Sequence, residues 1–151
     1  TGLLQCRTPK MKLELLTDIP QTSLAFINDD HREEIALLRI VVAALEARAR
    51  GEATDAEVVH AWEALAKHTE EHFLREELAM KEVSFPAFAV HQAEHHRVLA
   101  DMAGHFQAWR GGGPVKALLA YADEGITDWF VNHVQTMDFI TARFVMAATG
   151  G

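Results

Sequence analysis

The sparse punctuation of this chain limits its fold more than any other feature. Leaving aside isolated interior glycines, the strong helix breakers beyond residue 10 are Pro20, Gly51, Pro86, the run Gly111-Gly112-Gly113-Pro114 and the closing Gly150-Gly151. They divide the chain into a short arm and four long segments rich in Ala, Leu, Glu, Arg and Met, all good helix formers. No β-branched run bounded by Gly or Asn turns suggests a hairpin. Four helices joined by short connections must run antiparallel to their neighbours. The expectation is therefore an all-α, up-down-up-down four-helix bundle over residues 22–149, preceded by an N-terminal arm over residues 1–21.

Local chemistry sets the expected boundaries. The first helix should start near Thr22 or Ser23, or at Asn28 after an extended approach, and stop at Gly51, a natural C-terminal residue because it tolerates positive φ. Thr54-Asp55-Ala56-Glu57 reads as a capping box for a second helix running to about Lys81. Ser84 is the expected cap of the third helix, with Pro86 in its first turn, and that helix should end at Arg110. Pro114 opens the fourth, which continues to about Ala148; Gly125 inside it should produce a local irregularity without breaking it.

Composition excludes several classes of function. Net charge is −8 with 14 scattered Lys and Arg, which argues against nucleic acid or an anionic membrane surface as main partner. No stretch approaches the roughly 18 to 20 apolar residues of a membrane span, and the start TGLLQCRTPK lacks a secretory layout. Cys6 is the single cysteine, so no disulfide forms within the chain. The expectation is a cytoplasmic protein. The chain begins at Thr1, so residues 1–10 read as an appended start or the cut edge of a longer protein, with Met11-Lys12 as an alternative native start.

The nine histidines are the unusual count. His31 lies 19 residues before Arg50, and His72 lies 17 after Asp55, about 28 and 26 Å from their shared loop at 1.5 Å per residue. His91 lies 19 residues before Arg110 and His133 lies 19 after Pro114, each about 28 Å from theirs. One histidine from each helix thus falls on a common cross-section. His72 and Glu76, and His91 and His95, are spaced i,i+4, which puts each pair on one helix face. His133 and Asp138 are five apart, about 140° on an ideal helix, so either a π-type bulge separates them and both face inward, or one of them is not a ligand.

A single helical histidine is ordinarily a surface or satisfied core residue, and a Glu four residues beyond it is nearly uninformative. His60, His68, His96 and His105 illustrate that background and read as solvent-facing or capping, although His68 also has ligand spacing to His72. The conjunction of common height, two i,i+4 pairs and a late His with Asp singles out His31, His72, Glu76, His91, His95, His133 and Asp138 as candidate metal ligands. Trp62, Leu65, Phe73, Met80, Leu99, Phe106, Leu118 and Leu119 are most simply core.

The segments NDDH (28–31), HFLREELAM (72–80), HQAEHHRVL (91–99) and WFVNHVQTMD (129–138) resemble hemerythrin, and more narrowly a bacterial hemerythrin-like domain. The resemblance covers about residues 15–148, with Trp129 and Met80 also fitting the family pattern. Asp30 stands where the family often has Gln, and Leu13, Leu15, Leu16 and Ile19 replace the arm's usual aromatics. The resemblance implies two iron ions with a bridging oxo or hydroxo group. One iron would sit on His91, His95 and His133, the other on His31 and His72, with Glu76 and Asp138 bridging. With six-coordinate irons, this set leaves one position open, on the iron with two histidines, for O2 or another small ligand.

Five neutral imidazoles disfavour the higher oxidation states that carboxylate-rich di-iron bundles support. The expected function is reversible O2 binding, as carrier, store or sensor domain. The alternatives are a di-iron enzyme acting on peroxide or nitric oxide, or an iron store. Tyr121, about 18 Å along the axis from His133, is a poor proton donor for the enzyme reading. A sensor role needs a signalling partner, and no segment of these residues supplies one. Phe130 and Val134 can wall the ligand pocket, though core packing is their simpler role.

Overall fold

A computed structural model of the chain describes residues 11–150; Cys6 and the rest of residues 1–10 lie outside the described part. Four helices form an all-α bundle: α1 (Ala25–Ala49), α2 (Asp55–Glu82), α3 (Phe88–Arg110) and α4, continuous over residues 115–148. Helix α1 packs on α2 and α4, and α3 packs on both α2 and α4, so the four close around one interior. A single 3-10 turn at Leu13–Leu15 precedes them.

The helix ends follow from their residues. Thr54 and Glu57 form the expected capping box, with Thr54 N–H donating to Glu57 Oε2 at 2.6 Å and Glu57 N–H donating to Thr54 Oγ1 at 3.2 Å. At the end of α1, Gly51 has φ +75°; Glu52 N–H bonds Ala47 O at 2.8 Å and Gly51 N–H bonds Arg48 O at 3.0 Å. These paired bonds satisfy carbonyls that a helix end otherwise leaves without partners. Gly112, at φ +105°, closes α3 in the same way.

Ser84 does not cap α3. It takes the corresponding left-handed position at the end of α2, at φ +51°, with Ser84 N–H on Lys81 O and Phe85 N–H on Met80 O. Its backbone is committed to closing the helix before it, so α3 starts later, at Phe88, without a side-chain cap. The first helix likewise starts at Ala25, while Thr22 instead ties the approach to Asn28.

Helix α4 bears out both irregularities. A π turn spans Tyr121–Ile126 around Gly125, where an added Cβ would meet the Tyr121 ring at 2.8 Å. A second π turn spans Val134–Asp138, between the late His and Asp. The first π turn also anchors the arm: buried Asp123 accepts from Lys12 N–H at 2.9 Å and Leu13 N–H at 2.8 Å. Leu13 thereby enters the core, with Leu16 and Ile19 packed partly buried against it and Leu15 left exposed.

The bundle interior divides along its length. Toward the α1–α2 and α3–α4 connections it is apolar, filled by Leu38, Val41, Leu45, Val58, Trp62 and Leu65 with Met102, Trp109 and Leu118. Trp62 stacks on partly buried Phe106 with centroids 5.3 Å apart. Leu99 and Leu119 are also only partly buried. Toward the α2–α3 connection, the interior holds histidines and carboxylates instead.

Candidate metal centre

Each of the seven side chains singled out by spacing is buried, and they converge on one place. The antiparallel packing of α1 and α2 brings the His31 and His72 rings within 5.1 Å, centroid to centroid. His91 and His133, from α3 and α4, lie 4.9 Å apart. The i,i+4 spacing on α2 sets Glu76 Oε1 2.6 Å from His72 Nε2, and the same spacing on α3 sets the His95 ring 4.4 Å from that of His91. The π turn adds the residue that rotates Asp138 onto the face of His133, so that His133 Nε2 lies 3.0 Å from Asp138 Oδ1.

The two carboxylates divide their oxygens between two sets of imidazoles. Asp138 Oδ2 lies 2.9 Å from His31 Nε2, while Asp138 Oδ1 lies 3.1 Å from His91 Nε2 and next to His133. Glu76 Oε1 faces His72, and Glu76 Oε2 lies 3.3 Å from His95 Nε2 and 3.6 Å from His91 Nε2. Two groups of donors result: His91, His95 and His133 with both carboxylates, and His31 and His72 with both carboxylates. Donors about 2.1 Å from a cation at right angles to one another stand about 3.0 Å apart, and the separations here run from 2.6 to 3.6 Å around that value.

Hydrogen bonding supports the fit. Glu76 Oε2, Asp138 Oδ1 and His95 Nε2 are buried and close to one another's partners, yet make no hydrogen bond. Leaving such polar atoms unmatched costs about 1–3 kcal/mol each, and a cation between them removes that cost. The remaining imidazole nitrogens are largely engaged. His72 Nδ1 donates to Glu34 at 2.7 Å, His95 Nδ1 donates to Glu77 at 3.1 Å, and His91 Nδ1 shares a hydrogen bond with Thr141 Oγ1 at 2.8 Å. Such outer partners fix ring orientation and the tautomer that presents Nε2. The His31 Nδ1 atom has no such partner.

The carboxylates are held ionised. Burial and the Asp138 charge push the Glu76 carboxyl up, but the charge and hydrogen bond of His72, with the close approach of His95, outweigh them and hold it at about 2. Burial likewise raises Asp138, and His133, His31 and His91 more than offset it, leaving it well below the usual range. Burial lowers His72, yet Glu76 and Glu34 raise it well above the ordinary imidazole value. Without a cation, then, the site is a buried charge cluster in which the His72 proton offsets part of the carboxylate charge.

Aromatic side chains seal it. Phe73 stacks on His95 at 3.9 Å, Trp129 on His133 at 4.5 Å, and Phe130 meets His31 edge-on at 5.3 Å. Phe130 and Val134 are both buried in the hydrophobic core, and Phe130 also borders the His31 ring.

Among the other histidines, His60 and His96 are exposed, and His105 is exposed and stacks on Tyr121 at 3.7 Å. His68 is a correction: it is not solvent-facing. Its side chain is only 12% exposed, and Nε2 donates to the Asp30 carbonyl at 3.0 Å. Glu34, Glu77 and Thr141 were missed by spacing. Glu34 is three residues after His31 and four before Leu38, a core-facing position that could have revealed it.

Residues 22–145 match the family described as Hemerythrin HHE cation binding domain. The chain is similar to a protein named Bacteriohemerythrin from Ralstonia nicotianae, 32% identical over 87 residues, which cover 58% of this chain and 62% of that protein. It is also similar to a Bacteriohemerythrin from Aquifex aeolicus, 26% identical over 118 residues, covering 78% of this chain and 86% of that one. The matched region thus spans less than two thirds of the first relative and most of the second.

Proposed function

Because this chain belongs to the hemerythrin HHE cation binding domain family, we propose that it is a non-haem di-iron protein that binds O2 reversibly, as carrier, store or sensor domain. His91, His95 and His133 would hold one iron, and His31 and His72 the other. Glu76 and Asp138 would bridge the pair, together with an oxo or hydroxo group. The observation that carries the reading is the division of oxygens: each carboxylate turns one oxygen toward each imidazole set. A single-ion site has no need of that arrangement.

Imidazole with carboxylate suits iron, and the absence of cysteine from the donor set argues against a structural zinc site. The iron pair, when bound, supplies the electrons that hold O2. The chain's own residues orient and shield. The two-histidine half has one donor fewer than the three-histidine half, so the open position for a small ligand falls there. Phe130 lies against His31 on that side, and such apolar walls restrict solvent access and slow oxidation of the metal by water-assisted routes. Among the described residues no helix is long and apolar enough to cross a membrane.

Aerobically purified protein should carry roughly two irons per chain, the number that two donor groups in a bundle core accommodate. Its diferrous form should develop a visible charge-transfer band on exposure to O2 that fades under vacuum and returns on re-exposure. Direct passage to the diferric form with no reversible band would contradict O2 binding while leaving the metal assignment standing.

A further inference from the structure

One cluster of metal-ligating side chains lies outside the seven. Glu34, His68 and His72 offer a carboxylate and two imidazole nitrogens within 4.8 Å of one another. Glu34 Oε2 is 2.7 Å from His72 Nδ1 and 3.9 Å from His68 Nε2. These separations suit an ion about 2.1 Å from each donor. Two imidazoles and one carboxylate on one side of an ion, with its other positions open, is a donor set suited to ferrous iron. The Asp30 carbonyl oxygen, 3.0 Å from His68 Nε2, adds a neutral oxygen beside it.

The position of the cluster gives it a use. His72 belongs to both groups, with Nε2 toward Glu76 inside and Nδ1 toward Glu34 outside. His68 is partly exposed, whereas Glu34 and His72 are buried, so the three lead from the surface to the interior. Arg75, which binds Asp30 on this flank, is engaged by both oxygens of that carboxylate at 2.8 and 2.6 Å, so its charge is matched locally. On the opposite flank, buried Glu77 and partly buried Gln92 bond each other beside one imidazole, His95.

We infer that Glu34, His68 and His72 form an outer staging site for a divalent cation of the ferrous class, from which the interior pair is loaded. The inference rests on reading the interior as a two-cation centre. An incoming ion takes His72 Nδ1, Glu34 and His68 Nε2; the proton it displaces from His72 Nδ1 is released to solvent, and the His68 proton moves to Nδ1 of its own ring. When the ion passes inward to His72 Nε2, the proton displaced from that nitrogen moves to His72 Nδ1 and restores its bond to Glu34. A neutral ring with one proton cannot serve both sites at once, so filling the interior empties the outer position.

The test follows Co(II) uptake by the metal-free full chain in stopped flow, read by ligand-field absorbance. His68→Gln keeps an N–H donor for the Asp30 carbonyl but removes the imidazole. It should load at least ~10-fold more slowly, at the low end of what loss of a supporting partner does to a metal site, with unchanged final stoichiometry and far-ultraviolet dichroism. His96→Ala should load at the wild-type rate. A Glu76→Gln, Asp138→Asn chain, stripped of its interior carboxylates, should retain one Co(II) that is lost when His68→Gln is added. Wild-type loading by His68→Gln, or no Co(II) in the interior double variant, overturns the staging site alone. A wild-type chain that takes up no Co(II) overturns the two-cation reading and the staging site with it.

Discussion

The two halves of the bundle interior solve the same problem in opposite ways. Near the α1–α2 connection, Leu38, Val41, Leu45, Val58 and Leu65 fill the space, and burial of apolar surface holds the helices together without further partners. Near the α2–α3 connection, equally buried positions carry His31, His72, Glu76, His91, His95, His133 and Asp138. Desolvating that many polar groups is unfavourable unless each finds a partner. The apolar half therefore acts as the scaffold, holding four helices in register so that the polar half can be assembled at all. The polar half contributes the donor set, and a cation among its donors would offset the cost of burying them.

The sharpest way to separate the halves is to remove a ligand. His91→Ala should weaken metal binding by more than about 100-fold, beyond the 10–100-fold typical of losing an outer partner, in a competitive chelator titration. His96→Ala, five residues along the same helix and exposed, should leave affinity unchanged. Equal effects would mean that the register of α3 has been misread.

Leu38→Ala probes the other half. It removes a wholly buried side chain and should cost about 2–5 kcal/mol in urea unfolding. That loss should be the same with and without metal, and affinity should hold. A large change in affinity would break the division between scaffold and site.

That division was partly legible before any coordinates. Regular helices convert sequence spacing into height, so the shared level of His31, His72, His91 and His133 followed from counting residues to the loops. The five-residue step from His133 to Asp138 is incompatible with one face of an ideal helix, so it left two choices, a π turn or a residue that is not a ligand, and a π turn is seen at Val134–Asp138. What spacing could not tell was which of many helical acids is buried. Glu34 and Glu77 sit among exposed Glu and Asp on the same helices, and only packing separates them. Ser84 was misassigned because a serine before a helix reads as a cap, whereas here the preceding helix uses its backbone first. His68 was misread because its partner is a main-chain carbonyl 38 residues away, which no local pattern encodes.

The pH response should also distinguish the halves, because only one titrates. In metal-free protein, Glu76 is held at about 2 against an ordinary 4.5, so its contribution is present above 4.5 and lost as pH falls toward 2. His72 is raised above 6.5, so its contribution is present below 6.5 and lost as pH rises through its folded value. Metal-free protein should therefore be most stable between about 4.5 and 6.5 and weaken on both sides, as read by thermal melts across pH. Metal loading should abolish the alkaline decline, because a cation replaces the proton on His72.

The smallest expected effect lies where the arm meets the first π turn. Asp123→Ala leaves the Lys12 and Leu13 amides without their acceptor. It should cost about 1–3 kcal/mol with metal affinity intact, as measured by parallel urea and chelator titrations.

The most direct measurement is anomalous diffraction from crystals of the iron-loaded protein. Two iron peaks per chain should appear, one against His91, His95 and His133 and the other against His31 and His72, each within bonding distance of both Glu76 and Asp138. A single peak, or peaks that do not share those two carboxylates, would contradict the account.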